Sequence, residues 1–259
     1  MKRKPYIGIT GIENQSQALQ ALEEADGMHE RYLMQGILAS YKTLHGNKTK
    51  YPFGYPEIGH IEKIFVNSPG VLNLIHYHTD HTGSILAQMH EVTRYGGPYV
   101  HGIQLNVAWP ERWKLDAHKN RNDGQVIVLQ CGRKALAACG LAVESEITSS
   151  ALASLTRRVA SYKDSIDYVL LDMSGGENIS LDLSFSRACL TALAEHGVSP
   201  MLGTAGGLTA ETLPRVAALF SEFPDLSIDG QGGFRDEDYR FNSTKAIRYI
   251  RTAREYFHC

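Results

Sequence analysis

The feature that most constrains the fold is a strict alternation of short apolar runs and helical segments along the 259-residue chain. Residues 126–130 and 168–172 are apolar runs bounded by polar residues, which is typical of strands buried on both faces. Residues 15–25 and 243–257 instead repeat apolar side chains with helical spacing. Eight such strand-and-helix units occur. This alternation requires parallel strands covered by helices, and no Gly-x-Gly-x-x-Gly motif follows the first strand to indicate an open sheet. The sequence predicts an α/β fold, a single-domain (β/α)8 TIM barrel over residues 1–259.

Composition limits the classes of function. Hydrophobic residues make up 43% of the chain and charged residues 21%, so it can bury a large core. A formal net charge of −2 gives no basic surface for nucleic acid. No apolar run is long enough to cross a membrane, and the basic N-terminus lacks the apolar segment of a signal peptide. The cysteines show no paired metal spacing and are interpreted as reduced thiols of a cytoplasmic protein: Cys131, Cys139, Cys189 and Cys259. We expect no cofactor, and the sequence leaves a homodimer open.

Two segments are additions to the repeating pattern. Residues 41–56 are polar and too long for a tight turn, which indicates either a functional loop or a disordered surface insertion. Residues 132–146 are predicted to hold a small extra helix.

Two glycine-rich bends follow consecutive predicted strands within residues 199–236. The bends contain, respectively, Gly206 and Gly207, and Gly230, Gly232 and Gly233. Thr209 is predicted to cap the helix that separates them, residues 210–223. One such bend indicates only a tight turn, but a pair presents bare backbone N–H groups to an anion. Because barrels bind phosphate after strands seven and eight, we expect a phosphate site here.

Polar side chains lie at the predicted carboxyl ends of the strands, where barrel enzymes have their active sites. Asp172 follows four apolar residues, which suits a general acid with a raised pKa; alternatively it caps the next turn. Thr10, Gln104, Asn106 and Asp229 are interpreted as substrate-binding residues.

Two histidines, His76 and His78, are predicted to point the same way from one strand end. They would serve as an acid and a base near neutral pH, or as a metal pair with a further ligand from His81, Asp80 or Asp172. Hydrogen bonding or substrate binding is the commoner role, so no metal site is assigned. Cys131 is interpreted as a buried filler rather than a nucleophile.

Several motifs together resemble the phosphoribosylanthranilate isomerase family of barrels. The motifs are Gly8-Ile9-Thr10, Gln104-Leu105-Asn106, Leu170-Leu171-Asp172, Ala205-Gly206-Gly207-Leu208-Thr209, and Ile228-Asp229 with its following glycines. The resemblance implies a phosphate-binding site at the two bends and a general acid at Asp172. The family's first-strand cysteine, its general base, is matched by Ile7, and its arginine after strand two has no counterpart in residues 41–45.

These observations favour one function and leave two alternatives. The leading hypothesis is a barrel that binds a phosphorylated small molecule, a sugar phosphate, and performs acid–base isomerase or lyase chemistry. Asp172 would act with His76 or His78, and Arg235 would help to neutralise the phosphate or would be a solvated charge. The alternatives are a metal-dependent hydrolase or aldolase built on the two histidines, and a non-catalytic relative that only binds ligand.

Overall fold

A computed structural model describes residues 3–49, 53–106, 109–142, 146–174 and 181–258. Eight parallel strands pair in chain order, and the first pairs with the last to close a barrel. The strands are β1 Tyr6–Thr10, β2 Tyr32–Ser40, β3 Val71–His78, β4 Gly102–Asn106, β5 Val126–Gly132, β6 Tyr168–Asp172, β7 Met201–Ala205 and β8 Ser227–Gly230. The predicted (β/α)8 TIM-barrel class is confirmed.

Helices connect successive strands on the outside of the barrel. In the described residues the α-helices are α1 Gln15–Glu24, α2 Tyr41–Leu44, α3 Ile61–Ile64, α4 Ile85–Gly96, α5 Arg112–Arg121, α6 Arg133–Ala137, α7 Ser149–Tyr162, α8 Leu183–Glu195, α9 Leu213–Glu222 and α10 Ser243–Phe257. Side chains of Asn14, Thr148, Asp182 and Asn242 accept hydrogen bonds from the first turns of α1, α7, α8 and α10. These caps satisfy backbone N–H groups that have no partner within the helix. None of the helices described is long and apolar enough to span a membrane.

The helix predicted over residues 210–223 begins later than expected. It runs from Leu213 to Glu222 with Pro214 in its first turn, a position where proline is tolerated. Thr209 therefore does not cap the helix; its hydroxyl oxygen instead accepts a hydrogen bond from the backbone N–H of Thr212 in the preceding turn.

Two strands extend further than their apolar runs, which moves polar residues into the barrel wall. β3 continues through His78 and β5 through Gly132. Before β3 the chain forms a 3-10 turn at Ile58–His60 followed by α3. The extra helix expected within residues 132–146 is α6, and residues 143–145 lie outside the described part of the chain.

Side chains of the strands alternate between two buried clusters. Tyr6, Met34, Leu74, Val128 and Leu170 belong to the smaller cluster, which fills the barrel interior. Ile7 and Cys131 belong to the larger cluster between the barrel and its helices. Consequently neither points toward the barrel axis, and burial holds the pKa of the Cys131 thiol well above its usual range.

A candidate active site at the barrel mouth

A small pocket of about 30 Å³ lies at the carboxyl ends of the strands, with room for about two water molecules. Side chains from β3, β4, β5, β6 and β8 line it together with the bend after β7: His76, Gln104, Gln130, Asp172, Asp229, Gly206 and Gly207. Of the residues with polar side chains that line it, Gln130, Ser174 and Gln231 were not predicted. Gln130 could have been predicted, because alternate residues of a strand point to the same face and the side chains of Val126 and Val128 lie in the barrel interior.

Asp229 is buried at the end of β8. Its carboxylate oxygens accept hydrogen bonds from Thr10 Oγ1 at 2.9 Å and from Gln104 Nε2 at 3.0 Å. Burial raises the pKa of Asp229 to about 7, and the neighbouring charge of Asp172 acts in the same direction. The hydrogen bonds from Gln104 and Thr10 oppose that shift. The structure thus brings two of the predicted substrate-binding residues, Thr10 and Gln104, into direct contact with a third, Asp229.

Asp172 is buried at the end of β6 and accepts three hydrogen bonds. Gln130 Nε2 donates to one carboxylate oxygen at 2.6 Å. The backbone N–H and hydroxyl of Ser174 donate to the other oxygen, at 2.9 and 2.6 Å. Gly175 and Gly176, which follow in the sequence, lie outside the described residues.

The two histidines have different surroundings. His76 is buried in the pocket wall, its Nε2 lies 3.2 Å from Asn106 Nδ2, and burial together with His78 lowers its pKa to about 3. His78 is exposed, and its Nδ1 lies 3.0 Å from the Asn106 carbonyl oxygen. In the described part of the chain, no three His, Cys, Asp or Glu side chains form a group that could hold a metal.

The two glycine bends lie side by side. Gly206 and Gly207 have φ angles of +112° and +61°, which L side chains rarely adopt. A Cβ atom at Gly230 or Gly233 would lie within 3.1 or 3.2 Å of the carbonyl oxygen of Leu208 in the other bend. Gly230 and Gly233 therefore allow close packing of the bends, whereas Gly206, Gly207 and Gly232 line the pocket itself. Within the described residues, the backbone N–H groups of Gly206 and Gly207 donate to no backbone carbonyl.

Arg235 does not line this pocket. Its guanidinium is buried and donates to Glu13 Oε1 at 2.8 Å and to the Tyr239 carbonyl at 3.3 Å. The guanidinium occupies the space where a side chain at Gly11 would lie. Arg235 thus links the loop after β1 to the loop after β8. The sequence predicts that Arg235 neutralises the phosphate or is a solvated charge, and neither interpretation included this buried ion pair with Glu13.

A second, larger cavity of about 530 Å³ lies above β3, β4 and β5. Its lining includes His78, Thr79, Asn106 and Lys134. Gln130 lines both cavities, so the two are neighbours at the barrel mouth. A volume of this size is within the usual range of small-molecule sites, roughly 300–1,000 Å³.

Comparison with known proteins places the fold. No family model and no curated protein matches the sequence. Phosphoribosyl anthranilate isomerase from Thermus thermophilus superposes with a TM-score of 0.64 at 14% identity, covering 96% of this chain and 98% of that one. The enzyme from Thermotoga maritima gives 0.64 at 15%, covering 97% and 99%. An isomerase in complex with reduced 1-(o-carboxyphenylamino)-1-deoxyribulose 5-phosphate gives 0.63 at 14%, also covering 97% and 99%. The chain therefore has the (β/α)8 fold seen in phosphoribosylanthranilate isomerase, and the resemblance indicated by the motifs is confirmed at the level of the fold.

Proposed function

We propose that the protein binds a phosphorylated small molecule, a sugar phosphate, at the two glycine bends and catalyses proton-transfer chemistry of the isomerase or lyase type. The observation that carries the proposal is the position of the bends. Gly206, Gly207 and Gly232 line the same pocket as the buried carboxylate of Asp172. An anion held at the bends would therefore place the rest of the ligand beside a group able to exchange a proton.

Backbone geometry supports phosphate as the anion. Consecutive glycines with positive φ turn their N–H groups toward one side without a Cβ in the way, which forms an anion-binding concavity. The chain carries a net charge of only −2, so attraction to an anion has to come from such local dipoles. One isomerase of the same fold was solved with a ligand that carries a 5-phosphate.

The remainder of the ligand would occupy the larger cavity above β3, β4 and β5. The central pocket of about 30 Å³ is too small for a sugar. The larger cavity of about 530 Å³ shares Gln130 with it. A ligand would then extend from the bends, past Asp172, toward Asn106 and His78.

A matched pair of glycine variants tests the phosphate site. Gly207 and Gly197 have similar φ angles of +61° and +64°, but Gly197 lies away from the pocket. Gly207→Ala and Gly197→Ala should therefore suffer the same backbone strain. We expect the wild type and Gly197→Ala to bind ribose 5-phosphate at least 10-fold more tightly than ribose in calorimetry, and Gly207→Ala to lose that preference. Equal affinity of the wild-type protein for both sugars would refute the phosphate site.

Turnover separates an enzyme from a protein that only binds. A panel of pentose and triose phosphates is followed by NMR with wild-type protein and Asp172→Asn. We expect one compound to be converted by the wild type, and Asp172→Asn to bind it while losing about 100-fold or more in rate. Binding without conversion would instead support the non-catalytic alternative. Metal analysis of the purified protein addresses the metal-dependent alternative, and the cytoplasmic location and the homodimer stay predictions.

A further inference from the structure

Two buried carboxylates face one pocket and are joined by a chain of amide side chains. Gln130 donates to Asp172 at 2.6 Å, and Gln104 donates to Asp229 at 3.0 Å. The two glutamines meet at 3.4 Å between Gln104 Nε2 and Gln130 Oε1. The hydrogen-bonded glutamines hold both carboxylates in fixed orientations, so Asp172 and Asp229 together present carboxylate oxygen atoms to a ligand in the pocket.

The hydrogen-bond partners of the two carboxylates differ in kind. Each oxygen of Asp172 accepts from an N–H group that can only donate, one from the Gln130 amide and the other from the Ser174 backbone, and the Ser174 hydroxyl adds a third hydrogen bond, so this site suits a carboxylate. Asp229 has such an N–H partner, the Gln104 amide, at one oxygen only; its other oxygen faces the hydroxyl of Thr10, which can accept as well as donate. In the described residues no lysine, arginine or histidine forms an ion pair with Asp229. The surroundings of Asp229 therefore tolerate a protonated carboxyl group, and its pKa of about 7 agrees with this.

The histidines are poorly suited to donate a proton here. A pKa of about 3 keeps His76 neutral at physiological pH, and its Nε2 is already in contact with Asn106. His78 lies outside the central pocket and is exposed. The residue in the position of the family cysteine, Ile7, packs away from the pocket. Asp229 is thus the remaining titratable group that lines the pocket beside Asp172 and His76 among the described residues.

We infer that Asp229 is the proton donor of this site and Asp172 its proton acceptor, acting on opposite ends of a C–H and C=O (or C=N) unit of the phosphorylated ligand. The inference rests on the proposed function. Asp172 takes the proton of a carbon next to the carbonyl or imine, and the C–H electron pair becomes a C=C bond. The π electrons of the C=O or C=N bond move to the heteroatom, which takes the proton of Asp229. The product is a neutral enol or enamine, with no oxidation or reduction.

Hydrogen exchange with solvent tests the pair without knowledge of the natural substrate. Dihydroxyacetone phosphate, ribose 5-phosphate and ribulose 5-phosphate are incubated with the protein in D2O, and loss of the carbon-bound proton signal is followed by NMR. We expect the wild type to exchange at least one probe, and Asp172→Asn and Asp229→Asn each to lose about 100-fold or more. Asp123→Asn, an exposed carboxylate outside the pocket, serves as the control with unchanged exchange.

The dependence of exchange on pH distinguishes donor from acceptor. If Asp229 donates, the wild-type rate falls as pH rises through about 7, because the donor loses its proton. Thr10→Val removes a hydrogen bond that lowers the pKa of Asp229, so the fall should move to higher pH even if Asp229→Asn folds poorly. A rate that rises through pH 7, or exchange unaffected in Asp229→Asn, overturns the inference and leaves the phosphate site intact. Absence of exchange with all three probes, despite tight binding of ribose 5-phosphate, overturns the inference and the proposed chemistry together. Failure to bind ribose 5-phosphate instead refutes the phosphate site.

Discussion

Replacing Asp229 with asparagine should make the protein more stable at alkaline pH. The folded protein holds the pKa of this carboxyl at about 7, against an ordinary value of 3.8, so folding favours the protonated form. Stability from this group is fully present below pH 3.8 and is lost as pH rises through 7. The difference corresponds to about 4 kcal/mol, since one pKa unit equals about 1.4 kcal/mol.

The amide introduced by Asp229→Asn cannot ionise, so the variant should escape this loss. Asparagine keeps the size of the side chain and one oxygen to accept from Thr10 or Gln104, which limits the cost of the substitution. At pH 8 we expect a free energy of unfolding higher than that of the wild type by up to about 4 kcal/mol. At pH 4 the gain should vanish, because Asp229 is protonated in the folded wild type.

Urea unfolding of both proteins at pH 4 and pH 8 measures the effect. Other titrating groups are common to both proteins, so the change in their stability difference between the two pH values isolates Asp229. Asp123→Asn makes the same charge change at an exposed site, so its stability difference from the wild type should change little between pH 4 and pH 8. If the stability difference between Asp229→Asn and wild type is the same at both pH values, the burial argument for Asp229 is wrong.

Three further predictions concern other parts of the fold. His118 on α5 is fully buried, and burial together with the neighbouring His90 lowers its pKa to about 4. The free energy of unfolding should therefore fall by up to about 3 kcal/mol as pH drops from 6.5 toward 4. His118→Gln should show a smaller fall in Tm over the same pH range. A Cβ at Gly102 would overlap the backbone of Val126 in the neighbouring strand. Gly102→Ala should therefore lower the free energy of unfolding, measured by urea denaturation, by about 3 kcal/mol or more. A loss below about 1 kcal/mol would show that the two strands can separate to make room for the methyl group. Alanine at position 206 would be strained by the φ angle of +112°. Gly206→Ala should therefore lower the free energy of unfolding by about 1–3 kcal/mol and weaken the binding of ribose 5-phosphate. Unchanged affinity for ribose 5-phosphate would argue against an anion at this bend.

The local sequence determined the elements of the barrel and where polar residues enter it. The bounds of the strand Tyr168–Asp172 could be predicted because a continuous apolar run is characteristic of a strand buried on both faces. The bend at Gly206 and Gly207 could be predicted because glycine is the residue that tolerates positive φ angles. The order of parallel strands then followed from their alternation with helices.

Tertiary structure alone decided which of those residues act on one another. Gln104 and Asp229 are 125 positions apart, and only barrel closure brings them within hydrogen-bonding distance. Burial raises the pKa of Asp229 to about 7 and lowers that of His76 to about 3, because removal from water disfavours the charged form of each, the anion of the acid and the cation of the base. Desolvation is a property of the surrounding packed atoms, which come from all parts of the chain, so a residue's own sequence neighbours cannot specify it.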